Sequence, residues 1–170
     1  MNPPNPRPPR RSSRAGEGFT LVELIVVVII LAIAAAVVVP YAVGTGQMSC
    51  QAAARRLMAD LEYAQNQAIV TQTQIKVTFD SSTNSYTVAN QSGPLIHPIT
   101  KKDYVVDFDI EDTFKGIAIG SAVFGGAGEV NFSALGAPDQ GGSVDLAAGA
   151  HTYRVTVAPV TGRVSVVKVP

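Results

Sequence analysis

Few side chains in this sequence are placed to do chemistry, and one of them opens a stretch that is otherwise hydrocarbon. Glu23 follows Gly18-Phe19-Thr20-Leu21-Val22, and Leu24 to Val39 then contains no polar side chain. A carboxylate inside such a run is costly to desolvate and reads as functional, paired with a cation. It also reads as an acid in the first turn of a helix, favoured by the helix dipole. Both readings are open at this point. His97 and His151 are the only histidines, each among turn or strand-edge residues, and Cys50 is the only cysteine. None has neighbours in sequence that would complete a metal site or an activated nucleophile. The acidic stretch Asp103 to Asp112 has oxygens that suit calcium, but it lacks the ligand order and central glycine of an EF-hand. Gly120, Gly125, Gly126 and Gly128 do not precede a helix as a phosphate loop does, and no HExxH, Walker A or GxSxG motif is present. No enzyme, metal or cofactor is expected.

These residues need elements to hold them. Residues 1–17 are rich in Pro, Arg and Ser and lack the apolar mass to fold. Arg7, Arg10, Arg11 and Arg14 stand there against Glu17 alone, whereas the rest of the chain has nine Lys/Arg against twelve Asp/Glu. That mildly acidic remainder argues against general nucleic-acid binding. The basic start favours the cytoplasmic side of a membrane. Leu24 to Gly44 gives twenty-one residues without a formal charge, about 30 Å of helix and just enough to span a bilayer. Ala34-Ala35-Ala36 offers weak sites for signal-peptide cleavage. A cut between Gly18 and Phe19 would instead remove the basic leader and leave the apolar run in place. Pro40 removes a backbone donor and is expected to kink or loosen the helix.

Residues 49–73 read as a second helical stretch, with Ala54, Leu57, Leu61, Ala64 and Ala68 on one side and Arg55, Arg56, Asp60 and Glu62 on the polar side. It can continue the first helix as one rod, with Cys50 on it as a small inert hydrophobe. Beyond residue 73 the period drops to two. Ile75, Val77 and Phe79 alternate with polar residues, Ser81 to Asn84 turn, and Ser85 to Ala89 return. Tyr104, Val106, Phe108 and Ile110 are expected to share a face. Further short strands are expected at 114–119, 122–124, 130–132, 144–146, 153–157 and 164–169, and two small sheets suit them better than one.

Gly18-Phe19-Thr20-Leu21-Val22-Glu23-Leu24 resembles the processing site of type IV pilins and type II secretion pseudopilins. The resemblance implies that a prepilin peptidase cuts after Gly18 and methylates Phe19. It also implies that Glu23 sets axial register by facing the amino terminus of an adjacent subunit, and that Pro40 falls where many relatives carry a proline. Ala54 to Ile69, Glu129 to Gly136, and Tyr153 to Val157 with Thr161 to Val164 resemble the helix and β-rich end of H-type minor pseudopilins and related minor pilins. DNA-binding relatives carry Gly-Arg-x-Arg near the carboxyl end. Here Gly162-Arg163-Val164-Ser165 lacks the second arginine, so Arg154, Arg163 and Lys168 form only a possible DNA contact.

The expected fold is α+β, a long N-terminal helix, half transmembrane and half amphipathic, against a β-rich antiparallel head. The expected divisions are a basic leader over 1–18, a transmembrane helix over 19–44, its amphipathic continuation over 45–73 and a periplasmic head over 74–170. The resemblance implies a minor pseudopilin of a type II secretion pseudopilus that takes part in protein export, anchored once in the inner membrane with its N-terminus cytoplasmic. The alternative is a type IV minor pilin for pilus assembly or DNA uptake. The implied partners are other pseudopilins or pilins through the helix, prepilin peptidase, the inner-membrane assembly platform and membrane lipid before assembly.

Overall fold

The computed structural model describes residues 19–170, with side-chain surroundings for all of these except 36–45. Gly18 and the leader lie outside the described residues, as does the side chain of Pro40. The chain divides into two compact units at Tyr41 and Ala42. Helix α1 (Leu21–Thr71) contributes to both.

In the first unit, Thr20 starts the helix. Its hydroxyl accepts the Glu23 backbone N–H at 3.2 Å and its carbonyl accepts the N–H of Leu24. The sequence Thr20-Leu21-Val22-Glu23 is a capping-box pattern, with Thr20 at the cap and Glu23 three residues on. From Leu21 to Ile33 the large apolar side chains point out on every side of the helix, and all are exposed.

This unit corrects the largest expectation drawn from the sequence. Among the described residues no helix is long and apolar enough to cross a membrane. The expected transmembrane half over 19–44 is therefore not retained. The single-pass inner-membrane placement, with a cytoplasmic N-terminus and periplasmic head, goes with it.

In the second unit α1 packs on the head through one stripe. Cys50, Ala53, Ala54, Leu57, Asp60, Leu61, Ala64 and Ala68 are buried, at successive spacings of three and four or side by side. Small side chains at five of these positions, Cys50 and four alanines, let the sheets approach closely. The helix stops at Thr71, where the Thr71 hydroxyl donates to the Gln67 carbonyl and Gln72 turns left-handed at φ 54°.

Two antiparallel sheets follow. The first contains β1 (Ile75–Asp80), β2 (Ser85–Asn90), β3 (Gly93–Pro94), β4 (Val105–Asp107) and β6 (Glu129–Phe132). Its order is β3-β2-β1-β6, with β4 also pairing β2. The second contains β5 (Ala118–Phe124), β7 (Gly142–Ala148), β8 (His151–Val157) and β9 (Val164–Val169), in the order β5-β7-β8-β9. Alternate residues of β1, β7 and β8 face the common core, as their period-two burial shows. An aromatic chain ties the sheets together: Phe124 stacks on Phe79 at 5.7 Å, Phe79 meets Tyr86 at 5.9 Å, and Tyr86 meets Phe108 at 5.8 Å.

The structure departs from the strand pattern in two places. Ile110 does not join Tyr104, Val106 and Phe108 inside; it is 78% exposed. The Asp107 carboxylate accepts the N–H groups of Asp109 and Ile110, closing a turn that ends β4 and ejects Ile110. The strand expected from Phe114 begins only at Ala118, because Phe114 and Ile117 close a turn through Gly116, at φ 86°.

Candidate functional sites at the helix start and beneath the head

The helix start brings together the groups picked out in the sequence. Phe19 is exposed just before the helix, and Glu23 is exposed within the first turn. The Thr20 cap fixes the backbone at Glu23 and leaves the carboxylate free to face outward. The cap itself escaped the sequence reading, although a threonine three residues before a glutamate at the head of an apolar run is its usual signal.

A second constellation was not anticipated. Asp60 was placed with the polar side of the helix, yet it is 6% exposed and sits within the apolar stripe. Its position, three residues after Leu57 and four before Ala64, was the available signal. Tyr86 donates its phenol to one carboxylate oxygen at 2.6 Å, and Tyr104 donates to the other at 3.0 Å. Arg56, one turn earlier on α1, places Nε at 2.9 and 3.1 Å from the two oxygens. Every strong acceptor site of the carboxylate is thereby served, which is the condition for burying it at tolerable cost.

The electrostatics follow from this packing. Burial, and then the Asp60 charge, hold the Tyr86 and Tyr104 phenols well above their ordinary pKa, so both stay protonated as donors. Burial works against the Arg56 charge, but Asp60 outweighs it and raises the Arg56 pKa. Arg56 Nη2 reaches His97 Nε2 at 2.9 Å. A guanidinium only donates, so Nε2 is the acceptor. The N–H groups of Ile99 and Thr100 approach Nδ1 at 3.1 and 3.2 Å. The ring is thus offered donors on both nitrogens, one more than a neutral imidazole accepts. His97 also packs edge-on against Tyr104 at 4.4 Å. Above Arg56 and Asp60 lies an open pocket of about 310 Å³, walled by Tyr63, Tyr104, His97 and Ile99.

The remaining sequence candidates are dispersed. Arg154 is bound to Asp145 across β7 and β8, with Nε 2.6 Å from one oxygen and Nη2 2.8 Å from the other. This pair holds the Asp145 carboxyl below the usual carboxylate range. Lys168 lies opposite Tyr153, one register position from Arg154, so the two bases belong to opposite faces of the sheet. Arg163 is exposed in the turn before β9. Cys50 is fully buried, its thiol 3.2 Å from the Leu146 carbonyl, and burial pushes its pKa up. His151 is half-buried at the start of β8. In the acidic stretch Asp107 and Asp109 are engaged in turn and side-chain hydrogen bonds, and among the described residues no group of three or more His, Cys, Asp or Glu is placed to hold a metal.

Gln65 also escaped the sequence reading. Its side-chain amide donates to the Gly136 carbonyl at 2.7 Å and the Thr161 carbonyl at 2.9 Å, tying two loops to the helix. Gly136 and Gly162 have positive φ, and a Cβ at either would run into Ile69 or Gln65.

Comparison with known proteins places this architecture. The family model described as "Type II transport protein GspH" matches residues 53–161, more than half of the chain, and the "Prokaryotic N-terminal methylation motif" matches residues 14–39. No curated protein matches. One structure of the minor pseudopilin EpsH from the Type 2 Secretion System of Vibrio cholerae aligns with a TM-score of 0.55 at 13% identity, covering 71% of this chain and 97% of that one. A second structure of EpsH gives 0.53 at 14% identity, covering 71% and 94%. The type IV minor pilin FimU of Pseudomonas aeruginosa gives 0.49 at 18% identity, covering 74% and 92%. At these identities the likeness to EpsH speaks to the fold alone. The family model, matched from the buried stripe of α1 to the turn before β9, carries the assignment: the chain belongs to the GspH family of type II transport proteins, a pilin-like and pseudopilin-like family.

Proposed function

We propose that this protein is a minor pseudopilin, a structural subunit of a type II secretion pseudopilus that takes part in protein export. In this reading prepilin peptidase cuts after Gly18 and methylates Phe19, and an assembly platform feeds the subunit into the filament. There the start of α1 packs against the helices of neighbouring pilin-like subunits. The Glu23 carboxylate faces the amino terminus left at Phe19 of an adjacent subunit, and the pairing sets axial register while offsetting the cost of desolvating both charges.

One observation carries this reading. From Leu21 to Ile33 the apolar side chains are exposed all round, with Glu23 the sole charge among them. The methylation-motif match covers this same stretch. A helix apolar on every side needs covering on every side, and parallel copies of the same kind of helix supply that.

The test is Glu23→Ala in cells that carry the rest of the system. The variant is expected to be processed normally, to keep a folded head and to disappear from the assembled fraction. Export should fall with it. Unchanged incorporation would overturn the register role. N-terminal sequencing and mass analysis test the processing step: methylated Phe19 is expected as the first residue, and a mature chain that keeps the leader would contradict it.

A further inference from the structure

The pocket over Arg56 and Asp60 is not used by the helix-packing reading, and its surroundings are unusual for a free surface. Ile99 on its rim is 82% exposed, and Ile96 and Pro98 beside it are exposed too. Arg55, Lys101 and Lys102 stand exposed close by in sequence on the helix and the loop. The loop itself is held in shape, with the Lys101 N–H on the His97 carbonyl and the His97 N–H on the Lys102 carbonyl. Among the described residues Arg56 bonds through Nε and Nη2, so Nη1 keeps two donors for an incoming carboxylate.

The complementary shape and charge are present on the same chain. Ile110 is 78% exposed and stands between Asp109 and Glu111, with Asp112 next. The Asp107 carboxylate holds this corner rigid by accepting the N–H groups of Asp109 and Ile110, so little ordering is left to be done on binding. Tyr104 in the pocket wall leads directly into β4, and the corner is formed at the last residue of that strand, Asp107, so pocket and corner are neighbours. Two adjacent patches, each suited to the other, are self-complementary under a twofold axis.

We propose that a second copy of this chain docks here, the Asp109-Ile110-Glu111-Asp112 corner of each copy entering the Ile99-rimmed pocket of the other. Ile110 fills the apolar mouth against Ile99 and Tyr63. The flanking carboxylates meet Arg56 Nη1 and the lysines of the rim. This head-to-head contact is separate from the helix packing at Glu23 and does not depend on it.

Two differently tagged full-length copies expressed together provide the test, one with Ile99→Cys and the other with Ile110→Cys. Both sites are exposed and Cys50 is buried, so oxidation reports on the new pair alone. A disulfide-linked mixed pair is expected. It should be lost when the Ile99→Cys copy also carries Lys101→Glu and Lys102→Glu. It should return when the Ile110→Cys copy carries Asp109→Lys and Asp112→Lys. It should persist with Glu23→Ala in both copies, which separates this contact from the register reading. No mixed pair, a pair indifferent to charge reversal, or a pair that vanishes with Glu23→Ala would overturn the proposal. So would a photo-crosslinker at Ile99 that captures a different subunit in place of a second copy.

Discussion

The two parts of helix α1 solve opposite problems with similar residues. From Leu21 to Ile33 the helix is apolar all round, and among the described residues its large apolar side chains are all exposed. From Cys50 to Ala68 it is apolar along one stripe, and the head covers that stripe completely. Each part carries one acid that breaks its pattern. Glu23 is exposed, with its backbone fixed by the Thr20 cap. Asp60 is buried, with both oxygens engaged by Tyr86, Tyr104 and Arg56. An acid whose partners all lie within the chain serves the fold, whereas an acid left outward on an uncovered surface is available to other chains. The contrast predicts opposite phenotypes for the two carboxylates.

The sharpest way to break this comparison is Asp60→Ala. It strands two buried phenols and Arg56, and the expected cost is about 3–5 kcal/mol, the range for removing one partner of a buried charged pair. Chemical denaturation reads this directly, and a cost below about 1 kcal/mol would mean that the network can relax or admit water. Gln65→Ala comes next. It removes bonds to two loop carbonyls, and about 1–3 kcal/mol is expected, with faster amide exchange confined to the loops around Gly136 and Gly162.

The same network should make the fold sensitive to alkali. Tyr86 and Tyr104 hold their protons more tightly folded than at the ordinary value of 10.0. Above that pH the unfolded chain binds fewer protons than the folded one, so this contribution is complete below pH 10 and is lost as pH rises beyond it. Melting followed from pH 8 to pH 12 should show this fall, and Tyr104→Phe should flatten it. A melting temperature that rises above pH 10 would contradict the assignment.

Smaller effects are expected where solvent competes. Thr20→Ala removes the cap and should cost about 1 kcal/mol, seen as fraying of the first turn by amide exchange, with the head unaffected. Arg154→Ala breaks an exposed pair and should cost less than about 1 kcal/mol. Any contribution from this pair is present above the ordinary Asp value of 3.8 and fades as pH falls below it, because the pair lowers the Asp145 pKa.

Much of this could be read from the sequence where one physical rule acts alone. The stripe of Leu57, Leu61, Ala64 and Ala68 and the alternation of Ile75, Val77 and Phe79 needed only a periodicity and a solvent. Ile110 was misplaced because a local hydrogen bond from Asp107 outcompeted the alternation. Asp60 was misplaced because residue type was weighed above helical position. Its tyrosine partners lie 26 and 44 residues away, on β2 and just before β4, and only the fold brings them together. The transmembrane expectation rested on counting apolar residues, and among the described residues no helix is both long and apolar enough to cross a membrane.

The central claim is that Glu23 acts between chains and Asp60 within one. Glu23→Ala and Asp60→Ala, each scored for head stability and for recovery with other pilin-like subunits after in-cell crosslinking, test it in one experiment. We expect Glu23→Ala to keep the melting temperature of the head and lose the crosslinks. A Glu23→Ala protein that crosslinks as well as the unaltered chain would contradict the account.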